Sequence, residues 1–100
     1  MLKITNDVKD FIDEDQCVVY FTAEWCNPCK QLKPHYGKVA VIDSQTNYYM
    51  VDIDKIDRST IEYYGLKSIP QIFLMNKGDV VKPIMGRTSQ AILLEMGKIE

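Results

Sequence analysis

Histidine and tryptophan each occur once in this sequence, and cysteine three times. That scarcity bears first on metal chemistry. A structural zinc needs four ligands, and Cys17, Cys26, Cys29 and His35 are the only cysteines and histidines, two of them on elements away from the Cys26–Cys29 pair. No metal site is expected. An odd number of cysteines does not make the framework of a secreted, disulfide-stapled domain. No apolar run approaches the roughly 20 residues that cross a bilayer. The stretch Met1-Leu2-Lys3-Ile4-Thr5-Asn6-Asp7 turns polar too early for the core of a signal peptide. Excess basic charge is missing as well: a net charge of −2 argues against nucleic acid or an anionic membrane as partner. These absences together read as a cytoplasmic protein whose thiols are kept reduced.

What remains is ordinary globular composition, 46% hydrophobic and 26% charged, without repeats, linkers or low-complexity segments. One hundred residues predict a single domain over 1–100. Leu2-Lys3-Ile4 reads as a short edge strand. Thr5 or Asn6 is placed to cap a helix with Val8, Phe11 and Ile12 at i, i+3 and i+4, which Asp13-Glu14-Asp15 ends as a solvated turn. The run from Cys17 to Thr22 is apolar at nearly every position and suits a central strand covered on both faces. Cys17 itself is better read as a small core residue than as a third redox thiol.

Leu32, Val39, Ala40 and Ile42 mark a helix that Pro34 should kink, with His35 exposed on its flank. A strand is predicted over 48–54, and then a helix opening at Asp57 and stopped by Gly65. Ile72-Phe73-Leu74-Met75 forms the next strand. After a turn at 76–79, an antiparallel strand over 80–85 follows, with Pro83 marking it as an edge. Thr88 or Ser89 caps a last helix bearing Ile92, Leu93 and Met96, which Gly97 ends. Strands alternating with helices imply an α/β fold, a mixed sheet with helices on both faces.

The chemistry concentrates in Trp25-Cys26-Asn27-Pro28-Cys29-Lys30. Two cysteines so spaced can clip a loop, hold half a metal site, or cycle between dithiol and disulfide. The flanks favour cycling, because a strand leads in and a helix leads out. Cys26 then lies by the unpaired N–H groups and positive dipole of a helix N-terminus, which stabilise thiolate over thiol. Pro28 suits the first turn, where its missing N–H costs nothing.

This stretch resembles the active-site motif of the thioredoxin family, usually Trp-Cys-Gly-Pro-Cys-Lys. Ala23-Glu24, Pro34, Val51-Asp52-Ile53-Asp54, Ile69-Pro70, Gly78 and Gly86 stand at intervals similar to that family's, so the likeness covers the chain from about Asn6 onward. It implies the thioredoxin fold and a thiol–disulfide oxidoreductase without a cofactor of its own. It also implies disulfide-containing proteins as substrates, a thioredoxin reductase as recycling partner, and a monomer. By the same resemblance Cys26, at the surface, attacks a substrate disulfide, and the more buried Cys29 resolves the mixed disulfide. Ile69-Pro70 is expected to be cis, with Ile69 offering backbone groups to an extended substrate. Trp25, Asn27, Pro28, Ile69, Pro70 and Gly86 are the expected substrate-facing residues.

Three positions depart from the family. Typical members carry a buried carboxylate six residues before the first cysteine and a lysine beside it on the neighbouring strand; here those places hold Tyr20 and Met50. Losing both leaves no unpaired buried charge, but raises the question of how Cys29 loses its proton. Tyr20 and Lys30 are the residues expected to tune the thiols. Asn27 replaces glycine, which can shift the redox potential; 30 mV corresponds to about 1.4 kcal/mol for a two-electron couple. The departures leave room for a dedicated redox partner, oxidant or isomerase acting on one protein. A non-catalytic scaffold of the same fold is the third reading.

Overall fold

A computed structural model describes residues 2–99. The pattern of hydrophobic runs resolves into strands β1 (Leu2–Ile4), β2 (Cys17–Thr22), β3 (Asn47–Asp52), β4 (Gln71–Asn76) and β5 (Asp79–Ile84). Helices α1 (Asn27–Ile42), α2 (Arg58–Tyr63) and α3 (Ser89–Glu95) separate or follow them. The strands form one mixed sheet in the order β1-β3-β2-β4-β5, with β1 and β5 at its edges as expected.

β2 is central because it can be covered on both sides. Its side chains alternate: Val18 and Tyr20 enter a core shared with Cys29, Leu32, Tyr36 and Ile92, while Cys17, Val19 and Phe21 enter a second core with Phe11, Phe73 and Met75. Thus α1 and α3 pack on one face and α2 on the other. β2 runs parallel to β3, with Tyr20 opposite Met50 and Thr22 opposite Asp52. It runs antiparallel to β4, which turns into β5 through Lys77-Gly78. Both turn residues have positive φ, 48° and 83°, as a two-residue hairpin of this hand requires. The helix ends follow the sequence reading, with Thr88 capping α3 and positive φ at Gly65 and Gly97.

The structure corrects the sequence in three places. The helix expected around Val8, Phe11 and Ile12 is a single 3₁₀ turn, Val8–Asp10, capped by Asp7 rather than Thr5 or Asn6. Thr5 spends its hydroxyl on the Asp10 carboxylate, although Phe11 is fully buried as its periodicity required. Asp13-Glu14-Asp15 is not wholly solvated, because Glu14 accepts hydrogen bonds from the Tyr49 hydroxyl and the Asn47 amide. β3 stops at Asp52 instead of Asp54: the Asp52 carboxylate accepts the Asp54 N–H at 2.9 Å and turns Ile53–Lys55 into a 3₁₀ turn. Helix α1 continues through Pro34, which is exposed.

Candidate active site

The strand-to-helix handover places Cys26 as the N-cap of α1, with Asn27 and Pro28 exposed in its first turn. Cys29 N–H donates to Cys26 Sγ at 3.2 Å, so the sulfur takes the place a serine or aspartate oxygen usually fills at a cap. The two cysteines form a disulfide, Cα–Cα 5.2 Å, within the usual range for such a bond. Cys29 is buried as expected, but Cys26 is only 5% exposed. The expectation of a surface sulfur is therefore corrected: oxidised, it is folded over the helix start and covered from the side by the loop before β4.

That loop holds Ile69-Pro70, whose peptide bond is cis, and the Ile69 carbonyl oxygen lies 3.9 Å from Cys26 Sγ. Trp25 is 64% exposed beside the pair. Its indole N–H donates to the Asp54 carboxylate at 2.8 Å, so the 3₁₀ turn after β3 fixes the ring's position. The sequence pattern assigns Asp54 no role, because a strand-like run conceals the turn.

Behind the pair, the Tyr20 hydroxyl donates to the Cys29 carbonyl at 2.7 Å. Its proton is therefore directed at the backbone rather than at the sulfur. Burial pushes the Tyr20 phenol above its ordinary range, partly opposed by a hydrogen bond from Thr22 and by the charge of Arg87. The Tyr20 ring packs on Tyr36 with centroids 4.9 Å apart. Lys30 is exposed and, together with Cys29 and Met50, lines an open pocket of about 450 Å³. Gly86 follows β5, and the close approach it permits is to α3: a Cβ there would meet Ala91 at 2.9 Å. The Glu95 carboxylate accepts the N–H groups of Met85 and Gly86, and nothing in the sequence pattern marked Glu95 for this.

Cys17 and His35, the two residues with competing readings, have structural surroundings, and His35 is less exposed than expected. His35 is half-buried, and its Nδ1 accepts the Ser89 N–H at 3.2 Å at the start of α3. Cys17 is a free thiol, fully buried, and burial and then the charge of Glu14 push it up to about 12. No cluster of three or more metal-ligating side chains occurs among the described residues.

A cysteine pair capping a helix, closed into a disulfide and flanked by a cis-proline loop, is the working part of a thiol–disulfide oxidoreductase. The thioredoxin family model matches residues 3–98. A thioredoxin of Streptomyces clavuligerus is 35% identical over 86 residues, covering 86% of this chain and 79% of that protein. A putative thioredoxin-4 of Dictyostelium discoideum is 37% identical over 92 residues, covering 85% and 86%. Among solved structures, the oxidised thioredoxin from Plasmodium falciparum superposes with a TM-score of 0.80 at 25% identity, over 98% of this chain and 97% of that one. The chain belongs to the thioredoxin family.

Proposed function

We propose that this chain is a general dithiol reductant of disulfide-containing proteins, a single domain working as a cytoplasmic electron carrier recycled by a thioredoxin reductase. The observation that carries the reading is the setting of Cys26: a helix-capping sulfur that receives the Cys29 N–H and faces the Ile69 carbonyl. In the reduced protein the same N–H and the helix dipole favour the Cys26 thiolate. That thiolate attacks one sulfur of a substrate disulfide, forming a mixed disulfide and expelling the other substrate sulfur as thiolate. Cys29 then loses its proton and attacks Cys26. The internal disulfide forms, the second substrate sulfur leaves, and two electrons have passed to the substrate. The substrate's backbone lies along Ile69 and Pro70, on a surface shaped by Trp25, Asn27, Pro28 and Gly86. Lys30 adds positive charge next to Cys29.

Tyr20 and Met50, facing each other across β2 and β3 in place of a carboxylate and a lysine, favour one second reading: a redox partner dedicated to a single protein. Two measurements together separate the readings. These are NADPH-coupled insulin reduction with a thioredoxin reductase and the Cys26–Cys29 reduction potential. Turnover with a potential near thioredoxin's, about −270 mV, supports the general reductant. No turnover and a potential near about −120 mV would make it an oxidant instead.

A further inference from the structure

The replacement of the family's carboxylate leaves Cys29 without an acid–base partner at position 20. The Tyr20 phenol is occupied by the Cys29 carbonyl, and burial holds its proton on. Sheet register shows where a substitute lies. Along β3, Met50 and Asp52 are two residues apart and share a face of the sheet. Met50 pairs with Tyr20 in the core that holds Cys29, and Asp52 pairs with Thr22 one step nearer the strand ends from which α1 departs. A carboxylate thus stands two residues further along the sheet toward the cysteines, on the neighbouring strand β3.

Asp52 and Cys29 line the same open pocket of about 450 Å³, roomy enough for several waters. Asp52 is half-buried, and Oδ1 is held by the Asp54 N–H at 2.9 Å, which fixes the carboxylate's orientation. The other charged groups around the pocket are Glu24 from the loop after β2, Lys30 and Lys33 from α1, and Lys55 from the turn after β3. Of the two carboxylates, Glu24 is exposed on a loop, whereas Asp52 is half-buried and held by the sheet.

We infer that Asp52 receives, through water in this pocket, the proton that Cys29 gives up when it resolves the mixed disulfide. This rests on the reading of Cys26 as attacker and Cys29 as resolver. The proton moves from Cys29 Sγ to water and on to the Asp52 carboxylate. The Cys29 thiolate then forms its bond to Cys26 as the bond from Cys26 to the substrate sulfur breaks. That sulfur leaves as a thiolate and is protonated by solvent. Asp52 touches no reacting atom and acts as a relay.

The test is stopped-flow mixing of the reduced protein with a chromogenic aromatic disulfide across pH 6–9, resolving formation and decay of the mixed disulfide. Asp52→Asn keeps an oxygen for the Asp54 N–H. It is expected to slow decay at pH 7 by roughly a hundredfold, the lower end of general acid–base effects. It should also move the pH dependence of decay upward, to where the thiol ionises unaided. Asp52→Glu should recover most of the rate, and Glu24→Gln should leave the profile in place. In a Cys29→Ser background, Asp52→Asn should leave formation of the mixed disulfide unchanged. A decay profile for Asp52→Asn that superimposes on the wild type overturns the inference, as does an equal loss with Asp52→Glu. Failure to form any mixed disulfide in the wild type would instead overturn the assignment of Cys26. If Asp52→Asn does not fold, Asp52→Ser, which also retains an acceptor, carries the same comparison.

Discussion

Three sulfurs in this chain have three different fates, and each follows from what surrounds it. Cys26 caps a helix and accepts an N–H, Cys29 lies buried one turn in, and Cys17 sits in the opposite core. With Cys26 attacking and Cys29 resolving, Cys29→Ser is expected to accumulate covalent adducts with a protein disulfide, and Cys26→Ser to trap none. Mass spectrometry of both variants decides it, and adducts on Cys29 would reverse the roles. Cys17, pushed up to about 12, holds too little thiolate to react near neutrality. Iodoacetamide at pH 8 should leave it unmodified in the native protein. Cys17→Ala should keep turnover near wild type at a stability cost of about 1 kcal/mol. Loss of activity in that variant would return Cys17 to the redox machinery.

At the scale of elements, the C-terminal end of α1 is closed by a buried carboxylate. Asp43 accepts the Tyr48 hydroxyl at 2.6 Å and lies 3.7 Å from the Lys98 ammonium. Burial alone would raise its pKa, but hydrogen bonds from Tyr48 and Thr46 and the charge of Lys98 outweigh burial and hold it below the usual carboxylate range. A depressed folded pKa adds stability that is present above the unfolded value of about 4 and is lost as pH falls through the folded one. Asp43→Asn should therefore cost about 1 kcal/mol or more at pH 7. It should also flatten the fall in melting temperature below about pH 4; an unchanged acid limb would count against this account. Elements of this kind divide by how local their causes are. β2, α1, β4, the hairpin and the glycine stops were legible because each depends on periodicity or on one residue's conformational limits. The turn after β3 was not, because it depends on Asp52 bending back to cap Asp54, which a strand-like pattern conceals. The cis bond at Ile69-Pro70 was accessible through family resemblance and not through the residues themselves. Glu95 and the Asp52 pocket arise where segments distant in sequence meet, and no spacing announces them.

The whole molecule is a sheet packed between two cores rich in buried phenols. Burial raises Tyr20, Tyr36, Tyr48, Tyr49 and Tyr64 above the ordinary tyrosine range. Raised folded pKa values give stability that is full below the unfolded value of about 10 and is lost as pH rises beyond it. Far-ultraviolet circular dichroism melts between pH 8 and 11.5 are expected to show steady stability at first and a steep loss above about pH 10. A flat profile would mean that these hydroxyls ionise without unfolding the protein. No helix among the described residues is long and apolar enough to cross a membrane.

The contact between Glu95 and the backbone of Met85 and Gly86 reaches beyond its own hydrogen bonds. It ties the proposed recognition rim to a helix of seven residues at the far end of the chain from the motif, while the cysteines are held by the sheet and α1. Because α3 also packs on α1 in the core that holds Cys29, recognition and chemistry share that support. Gentle warming that frays α3 would blur the molecule's choice among protein substrates and slow the reduction of small disulfides with it.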